Sequence, residues 1–177
     1  GDKLIAFGLS EKEAGSDAGS MTTRAVREGD HYVVNGLKKW NTGGAVASLN
    51  TVFAVTQPDR GARGISGIVI EKGTEGYRIG KHEDKMGIRA NSTCTVYFED
   101  VKVQKENLLG PLNGGFKVAM NILNNGRSGL AGGCIGGMKT LIALASNHAS
   151  ERRQFGEPIG SFGLVKQKIG CMVADRY

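Results

Sequence analysis

The residues best suited to hold a ligand lie near the start of the chain, in the segment GLSEKEAGSDAGS at residues 8–20. Ser10 and Ser16 supply hydroxyl groups, and the small residues Ala14 and Gly15 leave the backbone N–H groups unobstructed. Such an array can hydrogen-bond a flat heteroaromatic ring or a carbonyl group. A generic turn closed by Ser16 and Asp17 is the simpler interpretation, so this segment alone does not define a site.

A second segment with binding potential is KKWNTGG at residues 38–44, which contains Trp40, the single tryptophan of the chain. A tryptophan at the end of a strand is typical of a hydrophobic core, and it is also found as the wall of a cofactor pocket. The sequence leaves both interpretations open.

Short β-strands must position these two segments. Apolar or alternating stretches predict strands at residues 4–9, 22–27, 31–35, 51–56, 65–71, 77–79 and 93–98. Turn signals separate them, among them Glu28-Gly29-Asp30, and Asn35-Gly36 favours a tight type I′ hairpin. Since no long helix lies between the strands, residues 1–109 are expected to form a mostly antiparallel β-barrel or sandwich.

Helical periodicity begins after Leu109-Gly110-Pro111. Apolar spacing predicts one helix from residue 116 to about 148 and a second from about 162, joined by a charged, turn-forming segment at 151–158. Residues 110–177 are therefore expected to be the first part of an all-α bundle, giving a multi-domain α+β fold. A glycine stripe marks the first helix: Gly126, Gly129, Gly133, Gly136 and Gly137. Close helix packing and room for a long ligand both explain it.

Composition narrows the function classes. The 177 residues carry a net charge of +6 and 28 glycines, which fits either a basic surface or a partner bearing phosphate or carboxylate. The basic residues are dispersed, so nucleic acid is not an expected partner. The three cysteines and three histidines lack metal-ligand spacing, and no metal site is predicted. No uninterrupted run of about 18 apolar residues indicates a membrane span, and the chain ends within a helical pattern, as a piece of a longer protein would.

Five motifs occur in a fixed order: GLSEKEAGSDAGS, NGLKKWNTGG, MGIRANST, GFKVAMNILNNGR and ERRQFGEPIGSFGLVKQK. This series resembles the acyl-CoA dehydrogenase family, especially its very-long-chain members and their relative that assists assembly of respiratory complex I. The resemblance runs from about residue 4 to Tyr177. It implies the family's middle β domain (1–109) followed by a truncated C-terminal helical domain (110–177).

The resemblance also implies a function. The family oxidises the α,β-carbons of fatty acyl-CoA with FAD and passes electrons to an electron-transferring flavoprotein. It implies a long or very long acyl substrate, a homo-oligomer such as a dimer, and the mitochondrial matrix or inner-membrane surface, with peripheral membrane association. The catalytic glutamate is expected beyond Tyr177. An assembly factor with little or no turnover is the alternative, and a third is a relative that has lost FAD.

Site residues follow from the resemblance by position. The following would contact FAD: Phe7, Gly8, Leu9, Ser10, Ser16, Trp40, Asn41, Thr42, Arg152, Arg153, Gln154, Phe162 and Gly163. Ser16, Asn124 and Arg127 would contact the substrate. Two departures from the family pattern stand out. Lys12 replaces a proline, which loosens the turn, and Asn41 replaces an isoleucine, which would disturb packing at the flavin wall.

Overall fold

The computed structural model describes residues 2–177, which divide into two compact units that meet in sequence between Ile122 and Leu123. Each unit is described by itself. The first is built on a β-sheet and the second on helices, as the sequence predicts for an α+β fold.

Eight strands form the sheet of the first unit. They are β1 (Ile5–Gly8), β2 (Arg24–Glu28), β3 (His31–Thr42), β4 (Leu49–Val55), β5 (Ile65–Glu71), β6 (Tyr77–His82), β7 (Thr93–Gln104) and β8 (Leu108–Leu109). Their order is β6-β7-β3-β2-β4-β5-β8, and β1 pairs with β4. The sheet is mixed, because β1 and β2 run parallel to β4 while the other pairs are antiparallel. Within residues 2–177 it does not close into a barrel.

The core of this unit follows from the residue pattern of the strands. Alternation on β3 turns Tyr32 and Val34 inward, whereas β4 buries five successive residues, because both of its faces are covered. The fully buried aliphatic residues that pack against them come from β5 and β7, and include Ile68, Val96 and Val101. All seven predicted strands are present, and β3 and β7 extend to 12 residues each.

The expected hairpin at Asn35-Gly36 is wrong. Strand β3 continues through both residues, and the chain reverses instead at Gly29-Asp30, between β2 and β3. Gly36 is required for space, because a Cβ there would lie 2.7 Å from the Cα of Thr23. Asn35 serves a bulge of β7: its Oδ1 accepts from the N–H of Asp100 and its Nδ2 donates to Asp100 Oδ1, both at 2.9 Å.

A buried ion pair joins three segments of the first unit. Lys38 on β3 is 0% exposed and Glu11 is 4% exposed, and Lys38 Nζ lies 2.8 Å from Glu11 Oε1. The ammonium also donates to the carbonyl of Leu9 at 3.1 Å. The carboxylate accepts from the backbone N–H and hydroxyl groups of Thr22 and Thr23, at 2.6–3.0 Å.

These contacts decide the ionisation of Glu11. Burial alone would raise the pKa of this carboxyl, but the charge and hydrogen bond of Lys38 outweigh it, together with the hydrogen bonds from the Thr23 side chain and the Thr22 N–H. These contacts hold the pKa at about 2. Burial acts on Lys38 in the opposite sense and lowers its pKa, while Glu11 opposes that change. Glu11 is therefore ionised at neutral pH, and Lys38 Nζ, 2.8 Å away, compensates its charge inside the fold.

The second unit begins within a long helix, α1 (Gly115–Glu151), whose first turns belong to the first unit. A short hairpin of β9 (Arg153–Gln154) and β10 (Glu157–Pro158) follows, and α2 (Gly163–Arg176) completes the chain. Both helices match the predicted periodicity. By length and composition alone α1 could cross a membrane, since one 18-residue stretch has a mean hydropathy of 1.3. A helix of the same kind is equally found in soluble helical bundles.

We expect removal of Lys38 to destabilise the sheet. Lys38→Met leaves the Glu11 carboxylate buried without its cation, which costs about 3–5 kcal/mol. The double variant Glu11→Gln/Lys38→Met should recover part of this loss, because no charge then remains buried. Thermal unfolding followed by circular dichroism checks the comparison, and equal stability of Lys38→Met and wild type would contradict it.

The same pair predicts a pH dependence. The pKa of Glu11 falls from 4.5 in an unfolded chain to about 2 in the fold, so its contribution is complete above pH ~4.5 and lost as the pH falls through ~2. This amounts to about 3 kcal/mol of unfolding free energy. In the double variant, the loss of stability between about pH 5 and pH 2 should be smaller by that amount. Urea unfolding at a series of pH values measures it.

The start of α1 gives another prediction. A Cβ at Gly115 would overlap the backbone of Ser66 and Gly67 on β5, so the helix can begin there only because this residue has no side chain. Gly115→Ala should cost about 1–3 kcal/mol through overpacking. Gly87→Ala is the matched control, since nothing lies within 4 Å of a Cβ at Gly87. Chemical denaturation of both variants tests the difference.

Candidate functional site

Two of the segments singled out in the sequence meet at one end of the sheet. Phe7 and Gly8 end β1 and Leu9 and Ser10 follow directly after it, while residues 40–42 form the end of β3. The N–H of Lys39 donates to the carbonyl of Ser10 at 2.9 Å, and a Cβ on Gly8 would lie 3.1 Å from Asn41 Nδ2. The structure therefore brings Phe7, Gly8, Leu9 and Ser10 next to Trp40, Asn41 and Thr42.

Trp40 lies on a β-bulge. Lys38 pairs with Val96 and Asn41 with Cys94, so two residues of β3 oppose one residue of β7. Trp40 has a φ of 53°, a left-handed conformation that a bulky residue adopts at a cost of about 1–3 kcal/mol. The residue is 51% exposed. Trp40 is therefore a surface residue and does not belong to the hydrophobic core.

A cation lies over this indole. Lys39 Nζ is 5.4 Å from the centroid of the Trp40 ring and 3.7 Å from Glu83 Oε1. No sequence signal selects Lys39 or Glu83, because a lysine next to a tryptophan contacts the ring only where a bulge turns both side chains to one surface. Glu83, 44 positions further on, carries no local signal at all.

Asn41 does not lie on that surface. Its side chain is 2% exposed and turns into the unit, where Nδ2 lies 3.5 Å from Asn50 Oδ1. Asn50 Nδ2 donates to the hydroxyl of Tyr77 at 3.3 Å, and that hydroxyl donates to the carbonyl of Gly44 at 3.4 Å. Burial raises the pKa of Tyr77. Among residues 2–177, Asn41 Oδ1 has no hydrogen-bond partner.

The hydroxyl groups differ in their setting. Ser10 is half-buried, and Thr42 is exposed at the end of β3. Ser16 is exposed two residues after a turn over residues 11–14, which the N–H of Glu11 closes by donating to the carbonyl of Ala14 at 3.0 Å. The hydrogen bond from the N–H of Lys39 to the carbonyl of Ser10 places Ser10 near Trp40. Ser16 takes no part in this contact.

The remaining predicted residues lie on the second unit. Arg127 and Asn124 are exposed on α1, and the guanidinium donates to Asn124 Oδ1 at 2.9 Å, one helical turn earlier. This hydrogen bond holds the arginine side chain along the helix. The two residues predicted to contact substrate on this helix are therefore neighbours on one face.

The predicted cofactor-binding residues of the second unit lie in and around the hairpin after α1. The N–H of Arg152 donates to the carbonyl of His148 at 2.8 Å and so ends the helix. Arg152, Arg153 and Gln154 are all exposed. Phe155, at the tip, has a φ of 55° and is 94% exposed, with its ring 6.2 Å from that of Phe162 in an edge-to-face arrangement. Gly163 begins α2 directly afterwards.

The residues around Trp40 and the residues of the hairpin after α1 both have side chains suited to binding and orienting a ligand. An exposed indole with hydroxyl groups beside it can hold a flat, hydrogen-bonding ring. Exposed arginines on a short hairpin can pair with a phosphate, because the guanidinium presents several N–H donors in one plane.

Known proteins share the sequence pattern of this chain. The sequence pattern of the acyl-CoA dehydrogenase middle domain matches residues 6–101, and that of the C-terminal domain of the same family matches residues 113–177. The second match includes the whole of α1, which we therefore interpret as a helix of that domain and not as a membrane span.

Two relatives illustrate the similarity. The chain is 46% identical to the mitochondrial very long-chain specific acyl-CoA dehydrogenase of Homo sapiens, over all of this chain and 28% of the relative. It is 44% identical to the short-chain specific acyl-CoA dehydrogenase of Clostridium acetobutylicum, over 99% of this chain and 45% of the relative. The chain thus spans less than half of either relative.

Solved structures agree. Butyryl-CoA dehydrogenase from Megasphaera elsdenii superposes with a TM-score of 0.90 at 40% identity, covering 98% of this chain and 46% of that one. A structure described as the electron transferring flavoprotein of Acidaminococcus fermentans gives 0.90 at 42% identity, with the same coverage. On the evidence of both domain matches and these relatives, the chain belongs to the acyl-CoA dehydrogenase family.

Proposed function

We propose that the protein is an FAD-dependent dehydrogenase of acyl-CoA thioesters. The observation that carries this proposal is the exposed Trp40 on its strained bulge, next to the hydroxyl-bearing segment of Ser10. A tryptophan held outward at positive φ costs folding free energy, and such strain is concentrated at binding sites.

The residues present fit FAD. Gly8 allows β1 to approach β3 closely, and the carbonyl of Ser10 accepts from the N–H of Lys39, the residue before Trp40. Ser10 and Thr42 would hydrogen-bond the flavin ring, with residues 7–9 along it. The interior position of the Asn41 side chain removes one objection, because the polar group that replaces isoleucine does not reach the surface at Trp40.

When bound, FAD accepts the electrons that leave the acyl chain. This chain's own residues would bind and orient FAD and the substrate. Arg152 would pair with the FAD pyrophosphate of a neighbouring subunit, with Arg153, Gln154, Phe162 and Gly163 beside it. Arg127 with Asn124 would contact the substrate, and Ser16 would reach both ligands. The glutamate base is expected outside residues 1–177; some relatives carry it where this chain has Gly126.

Several finer statements belong to the same proposal. The substrate would be a long or very long acyl chain, and the electron acceptor an electron-transferring flavoprotein, in a mitochondrial homodimer with peripheral membrane association. The 46% identity to the very long-chain relative supports the substrate and the compartment, although the bacterial short-chain relative is almost as similar. The division into domains at 1–109 and 110–177 is part of the proposal. The relatives compared above are dehydrogenases, and no observation favours the assembly-factor alternative.

The decisive experiment uses the intact protein, purified and kept anaerobic. We expect the oxidised flavin absorbance to bleach on addition of acyl-CoA, and to bleach faster with long chains than with butyryl-CoA. A flavin that stays oxidised with every chain length would favour the assembly-factor alternative. A protein purified without flavin would show that the cofactor has been lost.

Arg152 gives a test of the site and of the oligomer together. Arg152→Met should weaken FAD retention by about 10- to 100-fold, since a charge-assisted hydrogen bond contributes about 1.5–3 kcal/mol. Lys166→Met, an exposed cation on α2, is the control and should retain FAD as wild type does. Equilibrium dialysis against FAD measures the difference.

Subunit mixing then shows whether Arg152 acts across a dimer interface. Neither Arg152→Met nor Trp40→Ala homodimers should hold FAD well. A mixed dimer would contain one site with both an intact Trp40 and a partner that supplies Arg152, so half of the FAD content should return. No recovery on mixing would contradict the role across subunits.

A further inference from the structure

Lys39 contacts three groups around Trp40: the backbone of Ser10, the indole ring and the carboxylate of Glu83. Its backbone N–H donates to the carbonyl of Ser10 at 2.9 Å, and its ammonium lies 5.4 Å from the centroid of the indole. The same ammonium is 3.7 Å from Glu83 Oε1. One residue thus contacts the ligand-facing segment, the exposed ring and a carboxylate.

Glu83 is well placed to fix this lysine. It follows directly after β6, and its N–H donates to the carbonyl of Thr93 at 2.9 Å, so its backbone is part of the sheet edge. The side chains of Lys39 and Glu83 are 32% and 30% exposed, which makes this pair less solvated than a fully exposed surface ion pair. The ammonium is therefore confined above the ring.

The contact with the Lys39 ammonium restricts the orientation of the Trp40 indole. Trp40 has a positive φ and is half exposed, so packing within the sheet does not by itself determine the orientation of its ring. A cation over the ring face is attracted by the aromatic quadrupole and limits that orientation.

We propose that Lys39 is a positioning residue for the cofactor, which fixes the Trp40 indole against the flavin while Glu83 fixes Lys39. The inference rests on the proposed function, because it takes FAD to lie against Trp40. It has an electrostatic consequence as well. Reduced flavin carries more negative charge than oxidised flavin, so a nearby ammonium favours the reduced form and a nearby carboxylate opposes it.

The first test measures FAD release from the intact holoenzyme by the rise in flavin fluorescence. Lys39→Met should release FAD about two- to five-fold faster, the effect expected of one cation–π contact. Lys39→Arg keeps a cation over the ring and should release FAD at the wild-type rate. Lys105→Met is the matched control: it removes a lysine paired with Asp30 at 2.6 Å, beyond the opposite end of β3, and should have no effect.

The second test measures the midpoint potential of the bound flavin. Lys39→Met should shift it to more negative values and Glu83→Gln to more positive values, whereas a purely structural ion pair would not give opposite signs. Wild-type release rates in Lys39→Met, or potentials that shift in the same direction, would overturn the inference. Wild-type protein that holds no FAD would instead refute the proposed function.

Discussion

The buried contact between Lys38 and Glu11 links the two segments of the candidate site, residues 7–10 and 40–42. Glu11 lies one residue after Ser10, Lys38 lies two residues before Trp40, and the carboxylate also holds Thr22 and Thr23 immediately before β2. Through this one carboxylate, the end of β1, the start of β2 and the end of β3 have a common anchor. The 2.9 Å hydrogen bond from Lys39 to Ser10 is the next contact along the same two segments. The position of the candidate site is thus a consequence of charge burial in the core.

A charge pair in this position also specifies the register of β3. Two bulges interrupt the pairing of β3 with β7, one near Gly36 and one at residues 39–40. A slip of one residue would turn Lys38 to the opposite face of the sheet and leave the Glu11 carboxylate buried without its cation. Because Lys38 lies between the two bulges, the ion pair specifies the register of the part of β3 that leads to Trp40. Hydrophobic pairs such as Val34 with Val101 specify the register less strictly than this ion pair does.

The sequence predicts the elements better than the contacts between them. The seven predicted strands and both helices carry local periodicity, which locates their centres, whereas the two-residue strands β8, β9 and β10 are too short to show any. The hairpin prediction at Asn35-Gly36 is wrong because the same dipeptide suits a hairpin turn and a close approach between strands, and only the position of Thr23 distinguishes the two. For the site, motif resemblance selected residues 7–10 and 40–42, which the structure brings together. It missed Lys39 and Glu83, whose contact depends on a bulge with no sequence signature.

The glycine stripe of α1 shows how much of the helix's stability lies beyond its own contacts. Among the described residues, no atom lies within 4 Å of a Cβ placed at Gly126, Gly129, Gly133, Gly136 or Gly137, and each glycine costs the helix roughly 1 kcal/mol relative to alanine. Large apolar residues of the same helix, including Leu130 and Leu141, are also exposed. A helix with these properties is stable only when other surfaces cover it.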